Sequence, residues 1–276
     1  MLLKLGNKGP NVGLWQAFLN TQGKAVTEDG DFGARTESAT REWQETNGLT
    51  PDGKVGSESI AKAQTQGFIA FNTDPAPVPP VVVPNGTGIT PALLAKIFPG
   101  TNASLRDRFI PPMNNWLPFY GIDSRLEAAA FIANGGKETD YLRVTSEYAT
   151  GDAYEGREDL GNTEPGDGRR FKGHGFFQTT GRYNHRKVTE ATWADLGIDF
   201  EEEPLRLTEI ELAIRSACIF VRDNNLNDYA NRGDIFGYSG IVNRGRPNLR
   251  ALGYDERLAL FRVCLRNIPE NFSFSA

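Results

Sequence analysis

Between Asn72 and Thr90 the chain reads NTDPAPVPPVVVPNGTGIT, five prolines followed by Gly86 and Gly88. Proline fixes φ and carries no amide hydrogen, so such a stretch runs as extended polyproline and resists packing into a core. A chain of 276 residues interrupted in this way folds as two bodies. The sequence predicts a small module over residues 1–71, a linker over 72–88 and a larger domain over 89–276. About 70 residues are few for an independent fold but enough, and about 185 suit a single core.

Composition narrows the function classes. With 39% apolar and 24% charged residues the chain has ordinary globular composition, which argues against disorder. The net charge of −5 divides into −1 over residues 1–73 (seven basic, eight acidic) and −4 over the remainder (23 basic, 27 acidic). Neither part offers the basic surface that nucleic acid requires. Apolar runs such as PVVVP around Val82 fall far short of the roughly 20 residues that cross a bilayer, and MLLKLGNKGP lacks the apolar heart of a signal peptide. The expectation is a monomer made in the cytoplasm, with no nucleic-acid partner and no membrane insertion. Cys218 and Cys264, in amphipathic surroundings, read as buried thiols. His174 and His185 have no cysteine nearby and Asp29 with Asp31 supplies too few ligands for calcium, so no metal and no cofactor are expected. No nucleophile stands beside a positioned histidine in the pattern of a catalytic triad.

Within the small module a short pattern occurs twice, DGDFGARTES from Asp29 and DGKVGSESIA from Asp52. Each copy is Asp-Gly-x-apolar-Gly followed by a hydroxyl residue, Thr36 or Ser59, and reads as a turn feeding a helix. One apolar residue per copy, Phe32 or Val55, is placed to plug a core. Between the copies, Ala39, Trp43 and Thr46 fall on one helical face that Asn47-Gly48 ends. Upstream, Val12, Trp15 and Leu19 have the spacing i, i+3, i+7, and that segment also ends on glycine.

Taken together, LKLGNKGPNVGLWQAFLN, DGDFGARTESATREWQ and GLTPDGKVG resemble the peptidoglycan-binding domain found on many cell-wall hydrolases. The resemblance covers most of residues 3–66. It implies a three-helix module that docks on wall polymer, with bacterial peptidoglycan as partner, and holds an enzyme close by.

In the larger domain, SRLEAAAFIANGGKETDYL opens with Ser124 three residues before Glu127, a capping box, and continues with Leu126, Ala130, Ala133 and Tyr141 at near-helical spacing. A helix from about Arg125 to Glu138 is expected. Gly135-Gly136 weaken its last turn and leave room for close approach of a substrate. Glu138 then sits at the negative end of the helix dipole, which disfavours ionisation and suits a general acid. Glycoside hydrolysis needs a second carboxylate, for which Glu147, Glu155 and Glu158 are candidates. Were the helix to continue, Glu147 would lie roughly 13.5 Å further along and about half a circle away. Cooperation therefore requires the chain to leave the helix near Tyr141, which the β-branched, serine-containing RVTSEYATGD permits. The glycine-rich run from Glu158 to His185 has no helical or strand period. It reads as the floor of a groove, where exposed amides and the side chains of Gln178, Thr179, Thr180 and Asn184 meet a polymer and Tyr183 offers a ring face.

The order KET…SEY…YEGREDLGNTEPGDGRRFKGHGFFQTTGRYNH, with ITPALLAKIFPG before it and GYSGIVNRG after, resembles the family 19 glycoside hydrolases. These are chitinases of plants and bacteria and lysozyme-like phage endolysins, and the likeness is nearest the phage branch. It covers about residues 89–262 and implies a largely α-helical, lysozyme-like domain. By position, the resemblance implies Glu138 as proton donor, Glu147 as the residue that activates water, and Thr180 as the hydroxyl that helps hold that water. It implies sugar contacts at Gln178, Tyr183, Asn184 and Asn243, and an inverting mechanism. Lys137 stands where many relatives have His, and His174 where GRG is usual. The whole then reads as a modular endolysin that cuts the β-1,4 bonds between N-acetylmuramic acid and N-acetylglucosamine after the membrane is permeabilised. A chitinase of the same fold and a non-catalytic wall adhesin remain alternatives.

Overall fold

The computed structural model describes residues 3–68 and 88–274, so all but the last residue of the expected linker lie outside the described residues. The fold is mainly α, as expected, and among the described residues only isolated bridges occur in place of strands. Contacts divide these residues into two compact units. One holds the N-terminal segment with Arg186–Glu203, the other the rest of the described chain.

The small unit contains helices Pro10–Thr21, Ala34–Thr46 and Ser57–Gln64. Val12, Trp15, Leu19, Phe32, Trp43 and Val55 are buried together, and Trp15 meets Trp43 edge-on at 5.2 Å. The Trp15 indole N–H donates to Thr40 Oγ1 at 3.0 Å, which satisfies its polar end inside the core. Thr46, expected on the buried face, is exposed instead. The inward face of its helix is Thr36, Ala39, Thr40, Trp43 and Gln44, an i, i+3, i+4, i+7, i+8 set with the helical period that leaves position 46 outside.

The repeated motif forms two matching cradles. Gln16 Nε2 donates to Asp29 Oδ1, Asp31 O and Thr36 Oγ1, while Gly30 N donates to Gln16 Oε1. Gln44 does the same with Asp52 Oδ1, Lys54 O, Ser59 Oγ and Gly53 N. One glutamine amide, its polar atoms satisfied, thereby ties each Asp-Gly turn to the helix before it.

The larger unit is built around the helix Arg125–Glu138, whose residues 128–133 are fully buried. Both halves of its capping box form, with Ser124 accepting from Glu127 N and Glu127 from Ser124 N. Helix Tyr254–Asn267 is its main neighbour, and Leu226–Asn231 and Ile235–Arg244 also pack on it. Gly135 and Gly136 do not make room for a substrate. A Cβ on Gly135 would lie 1.8 Å from the Phe176 ring, and one on Gly136 2.7 Å from Phe98. Both glycines admit core rings, and Phe176 goes on to stack on Phe131 at 5.0 Å. Cys218 and Cys264 are buried free thiols, and burial pushes both thiols up.

Candidate active site

Helix Arg125–Glu138 ends at Glu138, and Asp140, Tyr141 and Leu142 then take left-handed φ of 47°, 59° and 65°. Three such residues in succession are costly for side chains with a Cβ. They are held by Tyr141 N donating to Gly136 O, Leu142 N to Thr139 Oγ1, and Thr101 Oγ1 to Tyr141 O. The bend that Glu147 requires comes from this run rather than from the β-branched residues after it, and strain of this kind collects at functional sites.

Beyond the bend, Glu147 is fixed by three residues. Its backbone N–H donates to Gly173 O at 2.8 Å, and its Oε2 accepts from Gly173 N at 3.1 Å. A Cβ at residue 173 would lie 2.7 Å from Gln178 Oε1 and 3.2 Å from Glu147 Oε2, so only glycine lets these groups approach. Lys172 Nζ donates to the carbonyls of Glu147 and Ala149 at 2.8 and 3.1 Å. Finally, Tyr154 OH donates to Glu147 Oε1 at 3.0 Å. Burial foremost, and then the negative charge of Glu147, pushes the Tyr154 hydroxyl up to about 12, so it stays protonated and keeps donating.

Glu138 is held by a different set of partners. Arg257 Nη2 donates to its Oε1 at 2.6 Å, with side chains 2% and 14% exposed, and Asn243 Nδ2 approaches the same oxygen at 3.5 Å. The charge nearest the carboxylate is therefore a guanidinium, where the sequence pointed to the helix end. Oε2 takes no hydrogen bond among the described residues and is the oxygen left for a ligand. Lys137, beside it, reaches Glu256 at 3.4 Å.

Glu138, Glu147, Gln178, Thr180 and Asn243 line one cavity of 340 Å³, together with Tyr154 and others. Gln178 has a left-handed φ of 54° and ties its amide to Gly175 O at 2.8 Å. Thr180 Oγ1 donates to Gln178 O at 2.8 Å, so towards the cavity its hydroxyl can only accept. Tyr183 and Asn184 lie outside the lining, in the first turn of helix Arg182–Leu196, with Asn184 Nδ2 donating to Thr180 O. An exposed ring at the cavity itself is Tyr148, its hydroxyl on Asp140 Oδ2 at 3.1 Å. Of the other acid candidates, Glu155 anchors the backbone N–H groups of Gly166 and Gly168, and Glu158 is an exposed residue of a single 3-10 turn.

Tyr154, Lys172 and Arg257 were missed in the sequence. Tyr154 had a weak signal, a phenol among the candidate acids, but Arg257 lies 119 positions from Glu138 and had none. His174, fully buried, is flanked by backbone bridges to Ser146 and Thr179 and so joins the segments of Glu147 and Thr180. His185 Nδ1 lies 2.9 Å from Gly181 O and must donate to it, which leaves His185 Nε2 to accept from His174 Nδ1 at 3.2 Å. Burial, and then Lys172, holds the His174 imidazole down at about 4.

Residues 8–62 match the family model described as a putative peptidoglycan binding domain. These residues thus form a module of the peptidoglycan-binding type. Among solved structures, chitinase C from Streptomyces griseus is 19% identical, with a TM-score of 0.51 over 69% of this chain and 80% of its own. A mutant of chitinase C gives 18%, 0.52, 68% and 96%. A bacterial family 19 chitinase gives 19%, 0.49, 67% and 96%. The chain therefore shares the helical fold of chitinase C and also carries residues that match the peptidoglycan-binding model.

Proposed function

We propose that the chain is a cell-wall glycosidase that hydrolyses the β-1,4 bond between N-acetylmuramic acid and N-acetylglucosamine with inversion. The reading is carried by one observation, that Glu138 and Glu147 line the same cavity, each held by its own hydrogen-bond partners. Glu138, paired with Arg257 through Oε1, takes up a proton from solvent on Oε2 and passes it to the glycosidic oxygen as that bond breaks. A water on the far face of the sugar attacks the anomeric carbon and loses its proton to Glu147, while Thr180 accepts the water's other hydrogen. Gln178 and Asn243 hold the sugar's polar groups. Tyr183 and Asn184 act further along the polymer, beyond the cavity lining. The peptidoglycan-binding module keeps the polymer near the cavity and raises its effective concentration. No helix among the described residues is long and apolar enough to cross a membrane, which fits a lysin that reaches the wall once another agent opens the membrane.

Mass spectrometry of borohydride-reduced digests of purified peptidoglycan tests the bond: reduced muramic ends are expected. Glu138→Gln and Glu147→Gln should each abolish their release, and wild-type activity in either variant would sink the assignment. The fold shared with chitinase C favours a second reading, chitin hydrolysis. Release of reducing ends from chitin oligomers but not from peptidoglycan would select it.

A further inference from the structure

The two Asp-Gly cradles of the small unit are built alike but covered differently. Aligning Gln16 with Gln44, a step of 28 residues, sets Gly9 opposite Glu37 and Gly13 opposite Arg41. Helix Ala34–Thr46 starts one turn earlier, relative to its glutamine, than helix Pro10–Thr21, and that turn roofs the second cradle. Arg41 Nη1 donates to Pro51 O at 2.6 Å, and Nη2 to Glu37 Oε1 at 2.9 Å. A Cβ on Gly53 would come within 2.8 Å of Glu37 and 2.9 Å of Arg41.

Over the first cradle the backbone of Gly9 stands in place of those side chains, its N–H donating to Gly30 O at 2.8 Å and its carbonyl oxygen 3.2 Å from where a Cβ on Gly30 would be. A Cβ on Gly13 would meet no atom within 4 Å, and a cavity of 610 Å³ opens there, lined by Lys8, Gly9, Gly13, Glu28, Asp29 and Asp31. Its lining carries three carboxylates, of Glu28, Asp29 and Asp31, and one ammonium group, of Lys8, so it offers a partner to each end of a zwitterion. Asp29 Oδ1 is taken by Gln16 and Asp31 N, whereas Oδ2 takes no hydrogen bond among the described residues. Lys8, paired with Asp31 at 2.6 Å, is 73% exposed and can join a second carboxylate. Glu28 occupies the place that Pro51, the acceptor of the Arg41 guanidinium, holds in the other copy.

We propose that the cavity over the Asp29-Gly30 turn binds the amine- and carboxylate-bearing diamino-acid residue of a wall stem peptide. That residue is the external counterpart of the Arg41–Glu37 pair that covers the second turn. Its ammonium group meets Asp29 Oδ2 and the Glu28 carbonyl, and its carboxylate meets Lys8. The module then grips the peptide and leaves the glycan strand to the larger unit. This rests on the reading of the small unit as a peptidoglycan-binding module.

The test is calorimetric titration of the full chain with the soluble tripeptide L-Ala-γ-D-Glu-meso-diaminopimelate, alongside sedimentation with purified diaminopimelate-type sacculi in a Glu138→Gln background that leaves the polymer intact. Gly13→Arg places the missing roof over the cavity at a helical position where arginine is the better helix former, so folding is preserved. Tripeptide affinity should fall at least about tenfold in Gly13→Arg, and also fall in Asp29→Asn, as charge-assisted contacts are lost. Equal tripeptide binding by wild type and Gly13→Arg overturns the proposal. So does a chain that holds sacculi yet ignores the tripeptide, and in that case the module's wall-binding role stands. Failure to hold sacculi at all removes both.

Discussion

Arg257 is the side chain whose removal should matter most to the larger unit. Its guanidinium, 2% exposed, donates to Leu252 O and Asn134 Oδ1 at 3.1 Å each and to Glu138 Oε1 at 2.6 Å. Arg257→Met keeps the apolar bulk and strands Glu138. Deleting one partner of a buried pair costs about 3–5 kcal/mol, because the remaining charge keeps its desolvation penalty. Glu138 is 14% exposed and recovers some hydration, which points to the lower end, about 3 kcal/mol. In a domain of 150–250 residues each kcal/mol moves the melting midpoint by about 2–4 °C, so a fall of about 6–12 °C is expected by scanning calorimetry. Adding Glu138→Gln removes the stranded charge, and the double variant should regain about 1–2 kcal/mol over Arg257→Met. Turnover of soluble glycan, measured where every variant is folded, should fall about 100-fold in Arg257→Met as the carboxyl loses its orientation. A midpoint shift under about 2 °C, or strictly additive losses in the double variant, would refute the coupling.

Two further perturbations test the frame around the site. Gly135→Ala drives a methyl group into the Phe176 ring, 1.8 Å away, and should lower stability by about 3 kcal/mol or more in denaturant titration; a neutral result would mean that Phe176 does not pack against this helix. His174 is held at about 4 against an ordinary 6.5. Above 6.5 neither the folded nor the unfolded form carries the proton. Between 6.5 and 4 only the unfolded form does, so stability falls as pH falls, by roughly 3 kcal/mol in all. His174→Asn keeps a donor towards His185 and should flatten that slope in guanidine titrations at several pH values, whereas an unchanged slope would clear His174.

The helical class, the core of the small unit and the start of helix Arg125–Glu138 were legible in residue order, because these follow from local rules. Ser124 and Glu127 set a helix start, and the 3.6-residue period of Val12, Trp15 and Leu19 marks an inward face. Glu138 was legible too, since a helix stop locates its last residue. What only the tertiary structure decided is how far each group serves another. Gly135 and Gly136 looked like space for a ligand and are space for Phe98 and Phe176, because a missing Cβ does not say what fills its place. Arg257 acquires its role across 119 positions, a distance that no local pattern spans. The turn that returns Glu147 towards Glu138 depends on three left-handed residues, Asp140 to Leu142, whose cost is met by hydrogen bonds to Gly136 O and Thr139 Oγ1 and from Thr101 Oγ1, and such compensation exists only once the chain has folded around them.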